Sequence, residues 1–311
     1  MLNFIKEFFI GSKDIPPKYP GALSAPNLSS RDKRRIATTW LRKFELTNLD
    51  YLRQYDYKKE CECANVTLVA YTFPRCPEEF LQIEFAVRHT WRLLGRMKTV
   101  IIADHENPDL TAFKEEWSDI LDVQYESTLC PGTTSPMSLD CITRLHSRFA
   151  TDYCLIIQDD GFPMRDNLSD FVGKYDYLGC STYRSIRKPL QRLIEFRKRY
   201  ILNGGFTLRT KTICRLANEA YKMWIQQNGE PTKVPCEDVF YTRIARQFPF
   251  YEYALKFPTL AAAREFSVSD LYGSIDIHHI SPMPFGFHDV TTAIQFIPEF
   301  ASMGYTIPTL P

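Results

Sequence analysis

Tyr153-Cys154-Leu155-Ile156-Ile157-Gln158-Asp159-Asp160-Gly161 is the stretch on which the fold turns. An uninterrupted apolar run passes into a polar triplet and a glycine, which reads as a strand buried on both faces and stopped sharply at its carboxyl end. The segments before it have the same grammar. Val66–Tyr71 is a short apolar run, Pro77–Leu94 carries Phe80, Ile83, Val87 and Trp91 at helical spacing, Thr99–Ala103 is again apolar, Val123–Tyr125 is a weaker strand, and Ser138–Phe149 reads as a helix. Strand and helix alternating in this way predict an α/β fold with a mostly parallel sheet and helices on both faces. Ligands of such sheets collect beyond the carboxyl ends of the strands. Gln158-Asp159-Asp160 stands in that position.

The composition sets outer limits. The chain has 311 residues, with 38 Lys and Arg against 37 Asp and Glu, a formal charge of +1, and 44% hydrophobic residues rich in Phe and Tyr. Near-neutrality excludes a protein that wraps nucleic acid, and the aromatic content excludes disorder. No run approaches the ~18–20 continuous apolar residues of a membrane span. The first ten residues are broken by Lys6 and Glu7 and make a poor signal peptide. Nine cysteines, an odd number, read as free thiols in a reducing compartment, and a cytoplasmic location is expected. Cys61-Glu62-Cys63, with Cys76 and His89, lacks the ligand spacing of a zinc site.

Charge is unevenly spread. Residues 1–60 hold 12 Lys and Arg and 7 Asp and Glu, so they carry +5 and leave −4 for the remainder. The expected organisation is a basic, partly helical N-terminal extension over 1–60 and one domain over 61–311. Within the extension, Arg31–Leu46 reads as a helix, with Ser30 as N-cap and Ile36, Trp40, Leu41 and Phe44 on its buried face.

Four segments could carry chemistry. Asp159 and Asp160 repel each other at a strand end, and a hard divalent cation would relieve them, although a polar turn is the plainer reading. Asn203-Gly204-Gly205 lies inside an apolar run, where the backbone either approaches a ligand closely or turns as a hairpin. Glu237 and Asp238 open an expected helix from Asp238 to Gln247, as reactive acids or as helix-end acids. His288 follows a proline-fixed aromatic turn, either structural or able to complete a metal site. Neither G-x-x-x-x-G-K-[ST] nor G-x-G-x-x-G occurs, so a bound nucleotide would need another neutraliser for its phosphates. Arg184–Tyr200, with seven basic residues and one acid, reads as a cationic amphipathic helix: solvated, touching an anionic membrane peripherally, or meeting an anionic substrate.

In order, these segments resemble the glycosyltransferase-A superfamily, Rossmann-related transferases that use nucleotide sugars. They are most similar to a group known as a domain of unknown function with such a core, whose segments are Q-x-D, N-G-G-F-S-L-R, E-D-x-F and P-F-G-x-H. Here these read Gln158-Asp159-Asp160, Asn203 to Arg209 with Thr207 for Ser, Glu237-Asp238-Val239-Phe240, and Pro284 to His288. The resemblance spans roughly 64–290. It implies Asp160 and His288 as ligands of Mn²⁺ or Mg²⁺, and Gln158, Asp159, Asn203, Gly204 and Gly205 as the donor and acceptor surface. It also implies Asp238 as the base of an inverting transfer, with Glu237 as runner-up. Gln158 departs from the superfamily's first Asp and brings no charge. The expected partners are a nucleoside diphosphate sugar, first a UDP-sugar, and a hydroxyl of a glycan or glycolipid. A non-catalytic nucleotide-sugar or glycan-binding relative of the same fold is the alternative.

Overall fold

A computed structural model describes residues 29–73, 78–128, 135–182, 202–269 and 283–310. The first helix, α1 (Ser30–Arg53), is followed by strand β1 (Val66–Thr72), helix α2 (Glu78–Leu94), β2 (Thr99–Ala103), helix α3 (Pro108–Glu116) and β3 (Leu121–Tyr125). Helix α4 (Ser135–Thr143) leads to β4 (Tyr153–Ile157), β5 (Tyr177–Thr182), β6 (Leu202–Thr210) and helix α5 (Lys211–Asn228). Among the described residues, the chain closes with the short α6 (Glu237–Val239), α7 (Leu260–Phe266), β7 (Ser267–Ser269), β8 (Gly286–His288), α8 (Val290–Ala293) and α9 (Ile297–Ser302).

The strands form one sheet in the order β3-β2-β1-β4-β6-β5-β7-β8. It is parallel except where β6 runs against β4 and β5. The alternation of side chains along each strand divides the interior in two. Leu68, Ala70, Ile101, Leu155 and Ile157 face a core shared with α1 and α2. Val69, Tyr71, Ile102, Cys154 and Ile156 face a second core shared with α4, α5 and the segment after Glu237. The predicted α/β class, with a mostly parallel sheet covered on both faces, is the architecture found.

Local differences from the sequence reading have physical causes. The cap of α1 is Ser29, whose Oγ accepts the Asp32 N–H at 3.2 Å, and the helix continues to Arg53 because Asn48, Leu49 and Leu52 remain buried on its inner face. The helix expected over 138–149 is split at Arg144, which leaves helical geometry as its side chain joins Arg148 on Glu126. Asn203-Gly204-Gly205 is no hairpin turn but part of β6, between β4 and β5. The helix expected from Asp238 to Gln247 starts at Glu237 and widens at once into a π turn over 240–244. His89 is a core residue, with Nδ1 2.6 Å from the Tyr305 hydroxyl and Nε2 2.8 Å from the Pro163 carbonyl oxygen. Burial pushes its pKa down to about 3, so the ring is neutral. The basic stretch 184–200, Cys76 and Cys130 lie outside the described residues.

Helix α1 is bound into the first core. Phe44 stacks on Trp40 at 5.3 Å and meets Phe300 at 4.6 Å, Phe85 at 5.6 Å and Tyr305 at 5.6 Å. Asn48 donates to the Thr306 carbonyl at 2.8 Å and accepts the Thr306 N–H at 2.7 Å, while the Trp40 indole donates to Pro308 O at 3.0 Å. The last residues of the chain therefore hold α1 against α2. Replacing Phe44 by Ala removes a fully buried ring from this contact and is expected to cost about 3–5 kcal/mol. Urea unfolding should show one transition moved to lower denaturant, and a loss below about 1 kcal/mol would mean that α1 lies outside the cooperative core.

Candidate active site

The end of β4 builds the first half of the site. Gln158 and Gly161 exchange backbone hydrogen bonds of 3.0 and 3.1 Å, so the four residues from 158 to 161 form a tight turn that holds Asp159 and Asp160 at the strand's carboxyl end. His288 comes from β8, and its Nε2 lies 3.2 Å from Asp160 Oδ1 and 3.1 Å from Gln158 Oε1. The next residue, Asp289, donates its N–H to the Asp160 carbonyl at 2.9 Å, which fixes β8 to the turn.

The second half comes from α6. Glu237 is buried, with Oε1 3.6 Å from Arg209 Nη2 and Oε2 accepting the Ser138 hydroxyl at 3.4 Å. Asp238 accepts the Val239 N–H at 2.6 Å. Gly204 and Gly205 are where the halves meet. A Cβ on Gly204 would stand 1.8 Å from Glu237 Oε1, and one on Gly205 would stand 2.1 Å from His288 Nε2. Two consecutive positions of a central strand thus lack side chains because a carboxylate fills the space at one and an imidazole at the other. Asn203 trims the same segment by accepting the Gly205 N–H on Oδ1 at 2.8 Å.

The electrostatics set Asp159, Asp160 and Asp238 apart. Burial, then the charges of Asp160 and Glu79, push Asp159 up to about 7. Burial also acts against Asp160, but the adjacent His288, with Arg34 in support, outweighs it and holds this carboxyl below its ordinary value. His288 is raised in turn, because the Asp160 carboxylate outweighs the burial of the ring. Burial and the neighbouring Glu237 charge push Asp238 up to about 6. A pair of acids with separated affinities for the proton is an arrangement suited to acid-base work.

Among the described residues, no group of three or more His, Cys, Asp and Glu side chains is gathered to hold a metal ion. Asp160 and His288 do fit as part of a divalent site. The contact of 3.2 Å between their donor atoms matches neighbouring vertices of an octahedron with bonds of roughly 2.1 Å. Gln158 Oε1 adds a neutral oxygen on the same side, and Mg²⁺-like ions are commonly held by one or two carboxylates together with substrate phosphates. The negative charge of Asp160, with Asp159 beside it, has the sign such an ion neutralises.

Three residues of this neighbourhood are not among the site residues expected from sequence. Arg209 is fully buried, with its guanidinium 5.0 Å from the Tyr177 ring and 4.5 Å from the Tyr241 ring. Its Nε donates to Thr207 Oγ1 at 3.1 Å, and Nη1 and Nη2 have no hydrogen-bond partner among the described residues. Its place at the end of the segment Asn203 to Arg209 is the one clue that sequence offers. Glu45 of α1 is buried against Gln82, and burial, with Asp159 and Asp160 nearby, raises its carboxyl well above the ordinary value. Arg34, also from α1, bonds the buried Asp289.

A family model described as "Protein of unknown function (DUF5672)" matches residues 125–288, a span that contains all four segments above. No curated protein matches the chain. Among solved structures, it is similar to a mannosyltransferase from Pyrobaculum calidifontis determined with GDP-Man and Mn²⁺, at 14% identity over 66% of this chain and 61% of that one, TM-score 0.35. It is also similar to the apo form of the glycosyltransferase GlyE of Streptococcus pneumoniae TIGR4, at 12% identity over 78% and 64%, TM-score 0.46. A third is the mannosyltransferase Ktr4p of S. cerevisiae, at 8% identity over 74% and 77%, TM-score 0.40. The chain spans less than two thirds of the length of the first two. No helix among the described residues is long and apolar enough to cross a membrane.

The close approach at the glycine pair is directly testable. Gly204→Ala must displace Glu237 and Gly205→Ala must displace His288, each with an expected loss of about 1–3 kcal/mol from overpacking. Thermal unfolding reads this, and unchanged melting of both variants would contradict the contacts.

Proposed function

The chain belongs to the family described as protein of unknown function (DUF5672), and we propose that it is a metal-assisted glycosyltransferase carrying a sugar from a nucleoside diphosphate donor to a hydroxyl of a glycan or glycolipid. The observation that carries this reading is the convergence of Asp160, His288 and Glu237 on Gly204-Gly205, with Asp238 beside Glu237, at the carboxyl end of β4. A site of this kind needs one charged group to hold a leaving diphosphate and another to take a proton from the acceptor, and the two halves offer both.

In the proposed mechanism, Asp160 and His288 would hold Mn²⁺ or Mg²⁺, with the uncharged oxygen of Gln158 beside them, and the ion would supply positive charge for the leaving diphosphate. Asn203, Gly204 and Gly205 form the floor between donor and acceptor, where missing side chains let Glu237 and His288 reach the strand. Asp238 takes the proton of the acceptor hydroxyl. Its raised affinity makes it a stronger base than an ordinary carboxylate while it is still mostly ionised at neutral pH. Glu237 stays against Arg209, which leaves the second acid of the pair to carry the proton. Direct displacement by the activated hydroxyl inverts the anomeric centre. A UDP-sugar is the first donor to test.

Two substitutions separate the roles. Asp160→Asn should abolish cation-dependent transfer, and Asp238→Asn should lower it by about 10²–10⁴-fold, the usual weight of a general base. Both are read as sugar transfer from a panel of nucleoside diphosphate sugars with Mn²⁺, and full activity in both variants would overturn the assignment. Because the base must be ionised and its affinity is raised to about 6, kcat/KM should be level above that pH. It should then fall about tenfold per unit below it. A rate that stays level down to the ordinary Asp range, near 4, would remove Asp238 from the role.

A further inference from the structure

Helix α1 begins with an arrangement that works against its own stability. Arg31, Arg34 and Arg35 lie at i, i+3 and i+4 on one exposed face, where like charges repel, and they occupy the end of the helix at which the dipole disfavours cations. These three side chains, with Thr38 and Thr39, line an open, solvent-facing cavity of about 330 Å³ on the surface of this helix. Local acids compensate little: Arg35 reaches Asp32 only at 3.9 Å. The threonines do not compete as donors, since Thr38 gives its hydroxyl proton to the Arg34 carbonyl at 2.9 Å and Thr39 gives its own to the Arg35 carbonyl at 3.1 Å. Guanidinium groups are therefore the hydrogen-bond donors that these five side chains present to the cavity.

The cavity is tied to the candidate active site through Arg34. One of its nitrogens bonds Asp289, which is fully buried and held at φ +90° by its own hydrogen bonds to Thr291. Asp289 adjoins His288 in the chain, and Arg34 also acts on the charge of Asp160. The rest of the Arg34 guanidinium has no partner among the described residues, and the side chain is half exposed. Asp289 thus holds an arginine at the rim of the site with its remaining donors free.

We propose that this cavity binds a phosphate or diphosphate group of a substrate, with Arg31, Arg34 and Arg35 supplying the charge that a glycine-rich loop supplies elsewhere. The inference rests on the transferase reading only for the identity of that substrate. Three guanidinium groups suit a group with two or more negative charges, which arginine recognises through paired hydrogen bonds. The chain lacks both common phosphate loops, and Gln158 brings no charge of its own, so the need for such a device is visible in the sequence. Two sources share this chemistry: the diphosphate of the donor and a phosphate carried by the acceptor.

The test uses the full chain in EDTA, with inorganic pyrophosphate as the probe and calorimetry as the readout. Arg31→Gln/Arg35→Gln should weaken pyrophosphate at least tenfold, while its melting temperature without ligand stays equal to or above that of the parent, because repulsion within α1 has been relieved. Arg34 is kept, since it holds Asp289. If the parent does not bind pyrophosphate, or if both proteins bind it equally, the proposal is overturned. A parallel weakening of UDP or GDP identifies the donor as the source; an unchanged affinity for both, with a weakened sugar 1-phosphate, identifies an acceptor. The two readings fail separately. Pyrophosphate binding that depends on the arginines, together with full transfer by Asp238→Asn, would keep this site and remove the base. The reverse pattern would remove this site and keep the transferase.

Discussion

Two absent side chains allow the rest of the site to exist. β6 is a central strand with neighbours on both edges, where a chain normally places branched or aromatic residues, yet at Gly204 and Gly205 it places nothing. The space is taken by Glu237, from a helix start more than thirty residues later in the chain, and by His288, from the last strand of the sheet. Any larger residue at either position would hold one of these groups off the strand. His288 could then no longer reach Asp160, or Glu237 could no longer reach Arg209. The entropy that glycine costs in a strand is the cost of bringing distant segments within hydrogen-bonding distance.

Once those groups are together, the buried charges order themselves around the ones that cannot change. Arg209 is cationic at any ordinary pH, fully enclosed, and faced by two tyrosine rings. Glu237 is its acidic partner, and breaking such a buried pair by removing one member would leave an uncompensated charge. Asp238, next in the chain, meets the resulting negative charge and holds its proton more firmly. The same logic runs at the other half. His288 and Arg34 favour the charge of Asp160, and Asp159 then carries the penalty of sitting beside it. In each pair one acid faces a cation, and the other, Asp159 or Asp238, is left with a raised proton affinity.

The sheet and the acids were legible in the sequence for a simple reason. A parallel strand covered on both faces must be apolar without interruption, so Val66–Thr72, Thr99–Ala103 and Tyr153–Ile157 announce themselves, and acids just beyond them have only a strand end to occupy. Asn203-Gly204 misleads in its local form because the dipeptide that makes hairpins also makes strands with nothing on one face, and only the tertiary neighbours decide between them. The π turn after Glu237 and the break at Arg144 are invisible for the same reason: a side chain elsewhere sets the backbone. Arg34 and Asp289 lie 255 positions apart, and no periodicity or motif connects them.

Charge shows how far composition can be taken. The +5 of the first 60 residues and the −4 of the rest look like the signature of a separable basic arm. In the folded chain, the hydrophobic core runs across that charge boundary, with Trp40 and Phe44 on one side of it and Val66, Leu68 and Phe85 on the other. At the start of α1 a cation of the basic side, Arg34, meets Asp289 and acts on Asp160 of the acidic side. A basic helix packed beside an acidic site lowers the field that an anionic substrate must cross, without placing a positive residue among the ligands of a cation. On the transferase reading proposed above, that division of labour would accommodate a neutral glutamine at position 158, with α1 supplying charge near the phosphates.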